Sequence, residues 1–296
     1  ACRDDFGAGS EVVSAWAGIH YFACRDGEAE DAASDVVLTA PEGNAWLMRG
    51  LARRVEGRVQ HGALVHRFHD NGREIEIDVW LAGEQRSLRI VAQQAVWAAP
   101  LYLLPHIWQG AAELKAAAKS YSHAPWLVAN LTLDHLPEER AGAPLAWDNV
   151  LYGNNSLGYV VATHQQMRLR TGATVFTYYR AIADRSPSAG REWLLNIPRE
   201  GWAEQILAEL SVPHPDIRQR VTRLDVMRYG HAMARPTPGF LWHGQRRLFA
   251  ADYPSFRFGH ADASGFSIFE EAQYRGVLAA ERTLAKLGFR YTSSLV

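Results

Sequence analysis

The chain has 296 residues, 48% of them hydrophobic and 21% charged, which is typical of a globular protein with one large domain or two interleaved ones. A formal net charge of −1 gives no basic footprint for nucleic acid or an anionic membrane. Two cysteines are too few for a disulfide framework or a cysteine zinc site. No apolar run approaches the roughly 20 residues of a membrane-spanning helix, and no basic-then-apolar signal peptide opens the chain. The chain does not begin with methionine, so localisation is not readable from this end, and a cytoplasmic protein is the expectation.

The first hundred residues change from helical to β patterning. Apolar spacing predicts helices over 14–25 and 45–55, with a loop over 28–35, a short strand over 36–39 and a turn over 41–44 between them. From 62 to 100 the signal becomes β, with two turns between the candidate strands. The Asn71-Gly72 pair predicts a hairpin, and Ile75, Ile77 and Val79 alternate with polar or aromatic residues as in a half-buried strand.

The central part of the chain predicts a sheet with helices. Residues 100–120 are mostly helical, and 201–210 form an amphipathic helix. Strands are predicted over 126–133, 158–162, 173–179 and 221–229. We interpret these strands as the mixed sheet of a second domain.

The end of the chain predicts a strand, a loop and a packed helix. A short apolar run, 248–251, stops at Asp252, and a loop rich in glycine, serine and aromatic residues follows. Small or apolar residues then recur at helical spacing, at Ala272, Gly276, Ala279, Ala280, Leu284 and Leu287. In open α/β sheets, ligands bind beyond the carboxyl ends of strands, where an acid can accept hydrogen bonds from hydroxyl groups.

This last stretch resembles the flavin-containing amine oxidase superfamily, which includes protoporphyrinogen oxidase and phytoene desaturase relatives. Members end in a strand reading about F-A-G-[DE] and a helix reading E-G-A-x-x-S-G-x-x-A-A. Here 249–252 read F-A-A-D and 270–280 read E-E-A-Q-Y-R-G-V-L-A-A, so Ala251 and Glu271 replace glycines and Arg275 replaces the serine. The stretches 41–51, 98–100 and 229–239 are similar to further family patterns, so the resemblance covers the middle and end of a typical member.

The resemblance implies FAD as cofactor and a set of residues that would contact it. Asp252, with Ala251 beside it, would bond the ribitol or pyrophosphate region. The backbone of Phe269, Glu270, Glu271 and Ala272 would face the pyrimidine edge of the flavin. Val65 matches a valine that flanks the adenine, although it can equally be a plain core valine.

Two family features are absent from the sequence. The opening G-x-G-x-x-G turn that binds the FAD pyrophosphate is missing, because Gly7 and Gly9 are followed by Val12 instead of a third glycine. The lysine that many members place beside the flavin N5 is missing from the matching strand, 125–130. Lys115, Lys119 and Lys286, the lysines of the chain, are expected on helix surfaces, and no catalytic residue is assigned.

Other site chemistries have little support. His66 and His69 are predicted to point to opposite faces, and His260 with Asp262 favours loop hydrogen bonding over a metal site, so no metal is predicted. Ala263-Ser264-Gly265 is only half of a serine hydrolase motif. By sequence position, four aromatic residues are candidates to line a substrate site: Tyr229, Trp242, Tyr253 and Phe256.

Together these patterns predict a mixed α/β (α+β) fold. An incomplete, Rossmann-like FAD-binding domain (36–100 and 246–290) would be interleaved with a substrate domain of sheet and helices (1–35 and 101–245). The resemblance implies a fragment of an FAD-dependent oxidoreductase that oxidises a C–N or C–C bond of an apolar or amine small molecule. The chain alone is expected to be inactive without the N-terminal segment, which was removed, never present, or supplied in trans. The alternative is a non-enzymatic binding or partner-interaction remnant of the fold.

Overall fold

The computed structural model describes residues 2–24, 40–139, 141–142, 144–163 and 172–295. The predicted loop over 28–35 and strand over 36–39 lie outside these residues. The helices are α1 (Cys2–Phe6), α2 (Ala15–Ala23), α3 (Ala45–Arg53), α4 (Leu104–Ile107), α5 (Ala112–Ser120), α6 (Pro187–Asn196), α7 (Arg199–Leu210), α8 (Ile217–Arg220), α9 (Gly244–Ala250) and α10 (Phe269–Lys286). The strands are β1 (Ala63–Asp70), β2 (Ile75–Leu81), β3 (Arg86–Ala92), β4 (Ala95–Trp97), β5 (Trp108–Gln109), β6 (His123–Leu133), β7 (Asp148–Asn149), β8 (Gly158–Val161), β9 (Thr174–Ala181), β10 (Val221–Ala234) and β11 (Phe256–Phe258).

The fold is mixed α/β, as the sequence predicts, and the chain forms two compact units. Unit 1 comprises residues 1–46 and 123–235, and unit 2 comprises residues 47–122 and 236–296. The predicted helices at 14–25, 45–55, 201–210 and 270–280 are confirmed as α2, α3, α7 and α10. The roles predicted for 36–100 with 246–290, and for 1–35 with 101–245, stay predictions.

Unit 1 contains an antiparallel sheet in the order β10-β6-β9-β8-β7. Alternate residues of β6 are completely buried on one face, among them Leu127, Ala129 and Leu131. They share a core with Trp202 and Ile206 of α7, because side chains alternate between the faces of a strand and one face can be covered by helices.

Unit 2 contains a β-meander, with β1, β2 and β3 antiparallel and β5 added parallel to β1. The predicted Asn71-Gly72 turn is confirmed. Gly72 has a φ of 86°, and its N–H donates to Asp70 Oδ1 at 2.9 Å. Asn71 Oδ1 accepts from the N–H groups of Arg73 and Glu74, each at 3.0 Å. Glycine is needed at the second position because other residues rarely adopt a positive φ.

A cross-strand ion-pair network covers the meander. Arg89 Nε lies 2.7 Å from Asp78 Oδ1, and Arg67 Nη1 lies 3.3 Å from Asp78 Oδ2. The hydrogen bond from Arg89, followed by the charges of Arg89 and Arg67, lowers the pKa of Asp78 from 3.8 to about 2. The charged carboxylate is therefore favoured in the folded state.

The network predicts acid-dependent stability. Because the pKa of Asp78 is depressed on folding, its contribution is present above pH 3.8 and is lost as the pH falls through about 2. We expect the carboxyl carbon of Asp78 to titrate near pH 2 by NMR. Asp78→Asn should flatten the fall in unfolding free energy over that window, and titration of Asp78 near pH 4 would contradict the network.

The predicted strand at 248–252 is wrong. Residues 244–250 form the helix α9, and the terminal strand is β11, which begins four residues after Asp252. A four-residue apolar run fits a buried helix turn as well as a strand, and tertiary packing decides between them. β11 pairs parallel with β4, with Phe256 opposite Ala95 and Phe258 opposite Trp97.

Candidate functional site

The candidate site lies at the carboxyl ends of β4 and β11 in unit 2. The pairing is continued past the strands by Gly259 N–H, which donates to Trp97 O at 2.9 Å. The segment from Gly259 to Phe266 is buried except for His260, and α10 begins three residues later. Parallel strands bring their following loops to one edge, which is where α/β proteins bind ligands.

Asp262 holds the two loops together. It is 3% exposed, and its Oδ2 accepts from Leu101 N–H, just after β4, at 2.9 Å. Its own N–H donates to Nδ1 of His260 at 3.1 Å, so this ring nitrogen acts as an acceptor. Asp262 is therefore the acid that follows the terminal strand, ten residues beyond the position that the sequence predicts.

Two arginines fix the loop that follows Asp262. Arg246 Nε donates to Ala263 O at 3.2 Å, and Arg275 Nε donates to Ser264 Oγ at 2.7 Å. Burial lowers the pKa of Arg275, and the neighbouring charge of Arg246 lowers it further. Burial raises the pKa of Tyr121, which is close to both guanidinium groups. Arg275, which replaces a serine of the family pattern, thus anchors the loop.

The predicted cofactor contacts have the following places in unit 2. Asp252 follows α9 instead of a strand, and its 58%-exposed side chain lies 3.1 Å from Arg257 Nε. Ala251 is exposed. Val65, on β1, is 37% exposed in this chain. Their contacts with FAD stay predictions.

The predicted flavin-facing segment forms the first turn of α10. Phe269 and Glu271 are half-buried, whereas Glu270 and Ala272 are exposed. The helix has 18 residues, and both glutamates lie in its first turn. Acidic side chains there complement the positive end of the helix dipole.

The four candidate substrate-lining residues have unlike surroundings. Tyr229 belongs to unit 1 and is 48% exposed, and Trp242 in unit 2 is 71% exposed. Tyr253 stacks on Phe256 with ring centroids 4.4 Å apart, and Phe256 is completely buried. Phe256 belongs to the core cluster of unit 2, and the substrate contacts of all four residues stay predictions.

The stretch predicted to match the lysine-bearing strand of the amine oxidase superfamily, 125–130, lies in β6. On its face away from the buried core, Asn130 Oδ1 accepts from the hydroxyl of Thr177 at 2.9 Å. Lys119 and Lys286 are exposed helix residues, and Lys115 is a half-buried residue of α5. No lysine occurs on β6, as the sequence states.

Unit 1 also contains an open cavity of about 510 Å³, remote in sequence from these residues. Its lining includes the acidic residues Glu138, Glu139 and Asp148. None of the residues predicted to bind cofactor or substrate lines it.

Within the described ranges, no three histidine, cysteine, aspartate or glutamate side chains are grouped to hold a metal ion. Nor does any described helix have the length and apolar character to cross a membrane.

Solved structures of amine oxidases share this fold. Putrescine oxidase bound to putrescine matches with a TM-score of 0.63 at 14% identity, over 82% of this chain and 53% of that chain. Cyclohexylamine oxidase from Brevibacterium oxydans IH-35A matches with a TM-score of 0.61 at 13% identity, over 83% of this chain and 53% of that chain. A putrescine oxidase triple mutant, from a structure-based redesign of cofactor binding, gives 0.63 at 13% identity, over 82% and 53%.

These comparisons establish the fold and the share of each neighbouring structure that this chain covers. Identities of 13–14% show a shared fold and no more, and the chain spans about half, 53%, of each of these structures. Neither a protein-family model nor a curated protein matches the sequence. The fold is accordingly that of part of an amine oxidase.

Proposed function

We propose that this chain is part of an FAD-dependent oxidoreductase of the flavin amine oxidase type. The complete protein would oxidise a C–N or C–C bond of a small molecule, and FAD, when bound, would supply the hydride acceptor. The observation that carries the proposal is the match of 82% of the chain to putrescine oxidase. A parallel strand pair, a buried acid and a following helix support it.

The residues of this chain fit the parts of FAD on either side of its pyrophosphate. Backbone N–H groups in the first turn of α10 can donate to a neutral carbonyl oxygen, such as that of a flavin pyrimidine ring. The exposed carboxylate of Asp252 can accept from ribitol hydroxyls, and the exposed side chain of Val65 can cover an adenine ring. Asp262 accepts a hydrogen bond from Leu101 N–H and would hold the loop between β11 and α10 in position.

The pyrophosphate in the middle of FAD does not fit this chain. The glycine-rich turn is absent from the sequence, and Glu270 and Glu271 in the first turn of α10 would repel a phosphate there. We propose that a further segment with the glycine-rich turn completes the site. All of α3 is described and none of its residues is buried, and Met48 and Leu51 are 54% and 46% exposed, so that segment would cover an apolar face.

The proposal predicts a flavin in the protein as its host produces it. Intact mass and an absorption spectrum should show a product heavier than 33.0 kDa with bands near about 375 and 450 nm. Anaerobic addition of a small amine such as putrescine should bleach the band near about 450 nm.

The chain of 296 residues serves as the control. With FAD added, it should bind weakly or not at all, because it lacks the turn for the pyrophosphate. A host-produced protein of 33.0 kDa that stays colourless with added FAD would overturn the enzyme proposal. The non-enzymatic remnant of the fold would then stand in its place.

A further inference from the structure

The open cavity of unit 1 has room for a small molecule. Its volume of about 510 Å³ falls within the roughly 300–1,000 Å³ that is usual for ligand pockets. It lies between the loop that follows β6, the strands β7 and β8 with their connecting turn, and the segment that joins α7 to α8. Its apolar walls include Pro144, Leu145, Leu151 and Pro213. An apolar group of a ligand can therefore be covered there.

Hydrogen bonds hold the walls of this cavity in place. The side chain of Asn149 bonds twice to the backbone of Ala146, because its Nδ2 donates to the carbonyl oxygen at 2.7 Å and its Oδ1 accepts from the N–H at 3.1 Å. On the other side, Glu138 N–H donates to Asp216 Oδ2 at 3.3 Å. A ligand that enters the cavity therefore meets walls that are already ordered, which lowers the entropic cost of binding.

Two polar residues that line the cavity are buried and bonded to each other. Tyr159, on β8, is 2% exposed, His214 is 6% exposed, and Tyr159 Oη lies 2.5 Å from His214 Nε2. Phe176 stacks on the ring of Tyr159, with centroids 4.6 Å apart. Burial raises the pKa of Tyr159 to about 12, so the hydroxyl is neutral at pH 7. Whichever partner donates, the Tyr159 oxygen keeps at least one lone pair for a further donor.

The charged side chains that line the cavity are acidic. Glu138, Glu139 and Asp148 are exposed, and none of the three lies within 4.0 Å of a described lysine or arginine nitrogen. Asp148 Oδ1 accepts from the hydroxyl of Tyr179 at 2.9 Å, so its second oxygen can accept from a ligand. Among the described residues, no lysine or arginine lines the cavity. A recess with charges of one sign attracts small ions of the opposite sign.

We propose that this cavity binds a small organic cation that carries an apolar body. The apolar body would contact the proline and leucine walls, and the N–H groups of the cation would donate to the acidic side chains and to the Tyr159 oxygen. The same carboxylates would repel a carboxylic acid or a phosphate. The site consists of residues of unit 1, and it depends neither on FAD nor on the oxidation proposed above.

NMR titration of the ¹⁵N-labelled chain with benzamidinium tests the site. Benzamidinium joins a planar cation to a phenyl ring, and its charged carbon bears no hydrogen, so oxidation by a flavin plays no part in the result. We expect saturable shifts of the amide signals of residues 148–154 and 212–214. Benzamide, which has nearly the same shape without the charge, should bind about fivefold more weakly or less, the factor for one exposed ion pair. Benzoate should not bind.

Variants separate the charge of the cavity from its polar wall. The double variant Glu138→Gln, Glu139→Gln should weaken benzamidinium binding about tenfold, because two attractive charges are lost. Glu192→Gln is the matched control, since Glu192 is an exposed residue of α6 that does not line the cavity, and it should bind as the wild type does. Tyr159→Phe removes one acceptor and should weaken binding about fivefold.

Three outcomes would overturn the proposal. One is a set of shifts outside residues 148–154 and 212–214, since benzamidinium would then bind elsewhere. Another is equal binding of benzamidinium and benzamide, or no difference between the double glutamate variant and Glu192→Gln, because the acidic side chains would then attract nothing. The third is the absence of saturable shifts, in which case the cavity holds water alone. If Tyr159→Phe does not fold, the double variant, whose changes are at exposed residues, still decides the question.

Discussion

Replacing Trp108 by alanine should destabilise unit 2 by about 3–5 kcal/mol, the range for removing a buried tryptophan. Trp108 is 1% exposed, and its ring lies 4.9 Å from that of Phe256 and 5.6 Å from that of Phe68. It therefore joins the meander to the parallel strand pair. Its indole N–H also donates to Ala111 O at 3.2 Å, so the substitution removes a hydrogen bond together with the packing.

Urea unfolding followed by far-ultraviolet circular dichroism measures this effect without relying on tryptophan fluorescence. Trp242→Ala is the matched control, because Trp242 lies in the same unit but is 71% exposed. It should change the unfolding free energy by less than about 0.5 kcal/mol. Hydrogen exchange should quicken in β1 and β11 of Trp108→Ala. If both variants cost the same, the aromatic cluster is not the core of unit 2.

The parts of the fold that the sequence predicts well are those with local signals. The meander follows from one Asn-Gly turn and from alternation at Ile75, Ile77 and Val79, and both signals act over a few residues. α10 follows from apolar residues at helical spacing, although Ala279 is the residue of this helix that is buried. Local patterns thus predict the type of element better than what the element packs against.

The terminal strand could not be placed because its sequence carries a misleading signal. β11 has three residues, and its centre is Arg257, whose side chain is 5% exposed and pairs with Asp252. All three residues of β11 are buried, but the arginine in the middle interrupts the run of apolar residues by which a buried strand is predicted. The run at 248–251 is more apolar but belongs mostly to α9. The spacing from Phe258 to Asp262, F-G-H-A-D, was the signal that could have identified the acid.

Removing the carboxylate of Asp262 should loosen the loops after β4 and β11, which this side chain joins. In Asp262→Ala, the N–H of the completely buried Leu101 loses its acceptor. An unsatisfied buried donor costs about 1–3 kcal/mol, so the unfolding free energy should fall by that amount. The amide of Leu101 should also exchange with solvent faster.

Asp262→Asn separates the charge of this residue from its hydrogen bond. The amide oxygen can still accept from Leu101, so a smaller loss of stability is expected. Asp252→Ala is the informative comparison, because Asp252 is the acid that the sequence predicts at the strand end. Its loss deprives Arg257 of an ion pair but should leave exchange at Leu101 unchanged. If Asp252→Ala exposed the Leu101 amide and Asp262→Ala did not, the loops after β4 and β11 would be joined by Asp252 after all.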